Sequence, residues 1–354
     1  MSTHNNMRLI KYCEALREGA AQAMEQDPSV FMMGLDVDDH KGVQGSTLGL
    51  VEQFGPEKVF TTPLSEDAMT GVAIGAAMAG QRPIHVHIRM DFLMLCMNQL
   101  VNIAAKSHYM YGGTVKVPLV VRTMIGKSWG QGAQHSQGLH AMFAHIPGLK
   151  VVAPSNAYDA KGLTMSAVKD NNPVIIMEHR LLYQSRAYVP QEPYEVEIGK
   201  ARVIKQGHDI TLVGISSMVP EVLRAANLLE EKGLSVEVID PVTISPLDHQ
   251  TIEQSVAKTK HILVVDNAWL NCGLSAEILA RVAESEIVKD KVKVKRMGFA
   301  NTTCPTSPTL ENAFYPNVNE IAINAVKLIE PTNSWQPKLE DCEMAYQKEF
   351  KGPF

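Results

Sequence analysis

The sequence predicts an α/β protein built from two parallel-sheet domains. Three observations carry that reading. Short runs rich in valine and isoleucine alternate with longer amphipathic stretches, the pattern of buried parallel strands covered by helices. The alternation breaks once, between Leu181 and Lys200, and then resumes. A chain of 354 residues with 45% apolar content exceeds one ordinary core and suits two domains of roughly 150 to 200 residues.

In chain order, MRLIKYCEALREGAAQAMEQ reads as the first helix, and SVFMMGLDV, KVFTTPL, RPIHVHI, VPLVVRT, KVVAP and PVIIME read as strands. EDAMTGVAIGAAMAG and SNAYDAKGLTMSAVKD read as helices between them, the latter with Ser155 as its expected N-cap. The segment LLYQSRAYVPQEPYEVEIGK has two prolines, many polar residues and no helical period, so it reads as a connection and a domain boundary. Beyond it, strands DITLVGIS, SVEVID, HILVVD and VKVKRMGF alternate with helices around EVLRAANLLEEKG, TIEQSVAKT and SAEILARVAESE. The expected division is residues 7–190, residues 200–330, and a C-terminal tail 331–354 that packs on a neighbour or frays.

Composition excludes several classes of function. A formal charge of -5 with acids and bases interspersed leaves no basic face for a phosphate backbone, so no nucleic-acid partner is expected. No segment reaches the roughly 20 apolar residues of a membrane span, and no basic stretch followed by an apolar run opens the chain. Five scattered cysteines, Cys13, Cys96, Cys272, Cys304 and Cys342, show no C-x-x-C spacing, which argues against a disulfide framework or a thiolate zinc site. A cytoplasmic location is the expectation.

Two segments point to chemistry. Glu66 falls between the strand-like KVFTTPL and a helix packed with glycine and alanine. Strand ends in a parallel sheet open into a crevice there, and the helix dipole favours a carboxylate. Small residues also serve tight helix packing, and a helix-initial glutamate is common, so the segment alone leaves both readings open. His135, in AQHSQG, follows the glycine-rich GKSWGQG and therefore sits on a loop near something. His85 and His87 are read as pointing outward from a strand or bonded within it, and His140 and His145 have a weaker claim than His135. Phe92, in RMDFLMLCMNQL, offers either a flat face to a ring or core packing in a methionine-rich helix. Other templates fail, since the chain has no G-x-S-x-G, H-E-x-x-H, P-loop or helix-opening G-x-G-x-x-G.

Taken together, FTTPLSEDAMTGVAIGAAMAGQRPI, NIAAKSHYMYGG, GAQHSQG, PGLKVVAPSNAYDAKGL, DNNPVIIMEH, VEVIDPVTISPLD and TIEQSVAKT resemble the β subunit of the E1 component of 2-oxo acid dehydrogenases, including pyruvate, branched-chain and acetoin dehydrogenases. The resemblance runs from residue 7 to about residue 330 and keeps the order of many motifs. It implies the pyrimidine-binding and C-terminal domains of the transketolase fold. It also implies thiamine diphosphate as cofactor, with Glu66 as the activating carboxylate, Phe92 as the aromatic stacked on the aminopyrimidine and His135 as the active-site histidine. A potassium ion held by main-chain carbonyls would match Leu119, Ala167, Asp170 and Asn172.

The G-D-G followed by N-N that binds magnesium and diphosphate is absent from this sequence. The resemblance therefore implies a separate α subunit carrying that motif, in an α2β2 heterotetramer. The implied reaction is decarboxylation of a 2-oxo acid with acyl transfer to a lipoyl carrier protein. Alternatives are a thiamine-dependent transketolase-like or acyloin-forming transferase with a small-molecule acceptor, and a non-catalytic assembly subunit. The sequence departs from the family's pattern at Leu35, where an acidic residue is common, in VVDNAWLNCG, and in its C-terminal tail.

Overall fold

The computed structural model describes residues 7–127, 130–337 and 343–349. Fourteen strands are present among them, β1 (Met7–Lys11), β2 (Val30–Gly34), β3 (Val59–Thr61), β4 (Arg82–His87), β5 (Val120–Ile125), β6 (Lys150–Val152), β7 (Val174–His179), β8 (Arg186–Pro190), β9 (Arg202–Lys205), β10 (Ile210–Gly214), β11 (Val236–Asp240), β12 (Thr243–Ser245), β13 (His261–Trp269) and β14 (Lys293–Phe299). A seven-stranded sheet has the order β12-β6-β7-β5-β4-β2-β3, and a five-stranded sheet the order β14-β13-β10-β11-β9. The α/β architecture with two mainly parallel sheets that the sequence predicts is present.

Strands β2 to β7 pair in parallel, as do β10, β11, β13 and β14. Their central members are buried along their whole length, which is why they read as unbroken apolar runs. Each sheet also carries one antiparallel edge strand that the sequence did not announce: β12 against β6 and β9 against β11. Strand β12 follows the connection in the chain but joins the first sheet, so the two halves are laced together.

Several local expectations are corrected. The first helix begins at Tyr12, because Met7–Lys11 instead pairs as β1 with β8. The connection 181–200 contains a 3-10 turn, Arg180–Gln184, and β8 itself. The N-cap of helix Ala157–Lys169 is Asn156, whose side chain accepts from the Asp159 amide at 3.0 Å, while the Ser155 hydroxyl donates to Asp240. His85 and His87 do not point outward; both are buried. The stretch after β4 is a broken helix, with α, 3-10 and π turns from Met90 to Met110. The described end of the tail folds back on its own chain, with Met344 buried in the core of the second sheet and the Ala345 amide donating to Glu221.

Helices Tyr12–Gln26 and Ala157–Lys169 pack together over one face of the first sheet. Gly19 makes this close contact possible, since a Cβ there would lie 2.9 Å from the Lys161 carbonyl oxygen. A second apolar cluster joins the other face of that sheet to the second sheet. No helix among the described residues is long and apolar enough to cross a membrane. Cys13, Cys96, Cys272 and Cys304 are free thiols, whereas Cys342 lies outside the described residues.

Candidate active site

The carboxyl ends of β2, β3, β4 and β5 all point to one edge of the first sheet, because these strands are parallel. The loops leaving that edge carry Leu35 and Asp36, Leu64, Ile88 and Arg89, and the segment from Gly126 to Leu139. In open α/β sheets this edge is where ligands bind. A cavity of about 440 Å³ lies there, lined by Leu35, Asp36, Leu64, Glu66, His87, Ile88, Arg89 and Phe92. Among the described residues, no cluster of three or more histidine, cysteine or acidic side chains could hold a metal ion.

Glu66 is the first residue of helix Glu66–Met78, with Asp67 beside it in the first turn. It is half-buried and lines the cavity. Phe92 is 37% exposed, which removes the core-packing alternative: its ring faces the cavity. The His135 ring stands edge-on to Phe92, with centroids 5.2 Å apart at an angle of 73°. The structure thus brings together the three residues that the sequence singled out, with Phe92 joining the other two.

The His135 segment is held from both domains. Arg180 donates to the His135 carbonyl oxygen at 2.7 Å and also to the Gln131 side chain. The Asp91 carboxylate accepts from the Gln137 amide at 3.1 Å and from its side chain at 2.9 Å. Gly138 lies so close to the second sheet that a Cβ would fall 1.8 Å from the Asn267 carbonyl oxygen. His140 then approaches Asp266 at 3.1 Å. Ser128 and Trp129 of the GKSWGQG run lie outside the described residues.

Electrostatics favours neutral imidazoles here. Partial burial, followed by the Arg89 charge, holds His135 below the usual histidine range, with Asp91 opposing and Arg180 adding. Burial pushes His87 well down, His85 adds to it, and the His87 ring sits 3.3 Å from the Thr70 hydroxyl. Arg180 is brought down to about 9 by burial and by Arg89.

The four residues expected to hold potassium lie elsewhere, at the amino ends of β5 and β7. The Leu119 carbonyl accepts from the Val174 amide at 2.9 Å and that of Ala167 from the Asp170 amide at 3.3 Å. Arg82 donates to the Asp170 carbonyl at 3.1 Å and to that of Val168 at 2.7 Å, and Lys150 pairs with the Asp170 carboxylate. The Asn172 amide bonds the Asp170 side chain at 2.9 Å. These residues form one cluster, in which two fixed cations already serve Asp170.

Sequence reasoning missed His87, Arg89, Asp91 and Arg180. For the first three a partial signal was the run HVHIRMD, in which polar residues interrupt the end of a buried strand; Arg180 had none.

Comparison with known proteins agrees with this fold. The pyrimidine-binding domain of transketolase matches residues 8–186 and the transketolase C-terminal domain matches residues 199–321. The acetoin:2,6-dichlorophenolindophenol oxidoreductase subunit beta of Cupriavidus necator is 40% identical over 326 residues, covering 89% of this chain and 96% of the relative. The pyruvate dehydrogenase E1 component subunit beta of Rickettsia bellii is 40% identical over 316 residues, covering 89% and 97%. Among solved structures, a split-gene transketolase, an inactive beta4 tetramer, superposes with a TM-score of 0.76 at 19% identity over 92% of this chain and 100% of its own, a likeness of fold. The chain belongs to the transketolase-fold family of β subunits that includes those of pyruvate dehydrogenase E1 and of acetoin:2,6-dichlorophenolindophenol oxidoreductase.

Proposed function

We propose that this chain is the β subunit of a thiamine diphosphate-dependent 2-oxo acid dehydrogenase E1, and that its cavity at the carboxyl edge of the first sheet takes the aminopyrimidine half of the cofactor. The observation that carries this is the convergence of Glu66 and Phe92 on one cavity of about 440 Å³. Thiamine diphosphate supplies, when bound, an electron sink for decarboxylation. Glu66 exchanges a proton with the aminopyrimidine nitrogen, and Phe92 offers its ring face to the same heterocycle. Leu35, Leu64 and Ile88 give the cavity apolar walls. His135, held below the usual histidine range, exchanges a proton with the acyl acceptor, a lipoyl group on a carrier protein.

The diphosphate and magnesium belong in this reading to an α subunit with the G-D-G…N-N motif, in an α2β2 assembly. Support comes from the face that helix Glu66–Met78 leaves uncovered: Ala68, Val72 and Gly75 are exposed, and nothing lies within 4 Å of where a Gly75 Cβ would be. Leu64, 76% exposed at the cavity mouth, extends that apolar surface. Residues 7–190 form the pyrimidine-binding domain, 200–330 the C-terminal domain and 331–354 a tail, in a reducing, cytoplasmic setting that suits free thiols. Potassium at Leu119, Ala167, Asp170 and Asn172 would have to share Asp170 with Arg82 and Lys150, and no step is assigned to it.

The test is Glu66→Gln in the complex purified through a tag on this chain. Thiamine-dependent oxidation of 2-oxo acids should fall by about 10²-fold or more. Circular dichroism and the co-purifying α chain should be unchanged. A fully active variant would sink the assignment.

A further inference from the structure

The cavity wall carries a guanidinium besides the groups proposed to act on the cofactor. Arg89 follows the buried strand β4 and immediately precedes the short helix Met90–Leu93. It is 6% exposed and lines the same cavity as Glu66 and Phe92. It is the one basic residue among the lining residues; the acids are Glu66 and Asp36. Its charge bears on His135, whose ring meets Phe92 edge-on. Arg180, behind the His135 loop, adds a second positive charge at this end. Asp91 acts on the Arg89 charge, and one of its carboxylate oxygens is engaged twice by Gln137.

The rest of the wall is mostly apolar, being Leu35, Leu64, Ile88 and Phe92. A guanidinium stays charged at any physiological pH, and its planar fork matches a carboxylate bidentately. Against an apolar wall the attraction is less screened than in bulk water. Such a pocket suits a small molecule with one apolar end and one anionic end. The relatives divide on this point by name, since pyruvate carries a carboxylate and acetoin does not.

We infer that Arg89 binds the substrate carboxylate and makes this pocket selective for a 2-oxo acid over a neutral acyloin. The inference rests on the reading that Glu66 activates thiamine diphosphate in this cavity. Arg89 acts on substrate recognition, so its loss should appear in KM rather than in cofactor binding or assembly.

The test uses the complex purified through a tag on this chain, unmodified and with Arg89→Leu or Arg89→Lys. Three quantities are measured: thiamine diphosphate affinity by fluorescence quenching, affinity for methyl acetylphosphonate as an anionic pyruvate analogue, and KM and kcat for pyruvate, 3-methyl-2-oxobutanoate and acetoin with 2,6-dichlorophenolindophenol as electron acceptor. For Arg89→Leu, phosphonate affinity should fall, and KM for a 2-oxo acid should rise, by about 10–100-fold, the worth of a charge-assisted contact. Thiamine diphosphate affinity should hold, the loss for acetoin should be much smaller than for a 2-oxo acid, and Arg89→Lys should recover part of the loss. Equal phosphonate affinity in Arg89→Leu and the unmodified complex, or no phosphonate binding by the unmodified complex, would overturn the inference. So would a parallel loss of thiamine diphosphate, which would place Arg89 at the cofactor. Failure of the unmodified complex to bind thiamine diphosphate would instead remove the thiamine reading, and titration with acetate, which forms no adduct with the cofactor, would then decide between the unmodified complex and Arg89→Leu whether Arg89 holds an anion.

Discussion

Arg122 and Glu178 face each other on β5 and β7, both 1% exposed, with Nε to Oε1 at 2.6 Å and Nη2 to Oε2 at 3.0 Å. The Ser46 hydroxyl accepts from Nη2 at 2.8 Å, and the Tyr183 hydroxyl donates to Glu178. With both charges fully hydrogen-bonded, the pair repays its desolvation; with one removed, the other is stranded. Arg122→Met should therefore cost about 3–5 kcal/mol in urea unfolding, and adding Glu178→Leu should return most of it. A single variant as stable as the parent would show that Glu178 finds other partners. At this scale Glu66 was legible, because a helix-opening acid after a strand is a local pattern. Arg89 was not, since nothing in the run HVHIRMD says which side chains reach a cavity.

The element that decides the site is the segment from Gly130 to His140. Its path is set by contacts with partners distant in the chain: Arg180 at the His135 carbonyl, Asp91 at Gln137 and Asn267 against Gly138. Gly126 adopts a φ of 97°, and a Cβ there would strike the His179 ring at 1.9 Å. Gly138→Ala has no room against the Asn267 carbonyl, so the segment must shift and carry His135 with it. A misplacement near 1 Å can cost about 10²-fold in kcat. That loss is expected with thiamine diphosphate still bound, and wild-type turnover in Gly138→Ala would show that the loop tolerates displacement. The glycine-rich motif marked this segment as a close approach, while the surface approached belongs to the second sheet.

Across the whole molecule, the two halves meet through buried polar contacts, and one of them titrates. Asp240 ends β11, accepts from the Val242 amide at 2.8 Å and from the Ser155 hydroxyl, and has Asp159 and Arg202 nearby. Burial, with Asp159 adding, pushes it up to about 7. A carboxyl raised in the folded state binds its proton more tightly than in the unfolded chain, where it titrates at about 4. Its stabilisation is complete below about pH 4 and is lost as pH climbs through about 7. Asp240→Asn should remove that slope, so its urea midpoint should gain on the parent's between pH 5 and pH 8. Parallel pH profiles would refute the assignment.

Sequence alone determined the two alternating α/β halves, the connection near residue 190, and Glu66, Phe92 and His135 as the residues to watch. These are properties of neighbours in the chain: apolar periodicity reports burial of a strand or helix face, and short motifs report local turns and helix starts. Tertiary structure decided the rest. It turned Met7–Lys11 into a strand paired with β8, sent β12 to the edge of the first sheet, replaced Ser155 by Asn156 as cap, and put Arg89 into the wall beside Glu66. Each of those outcomes depends on partners far apart in sequence, whose mutual packing and hydrogen bonding outweigh the weak local preferences of a few residues.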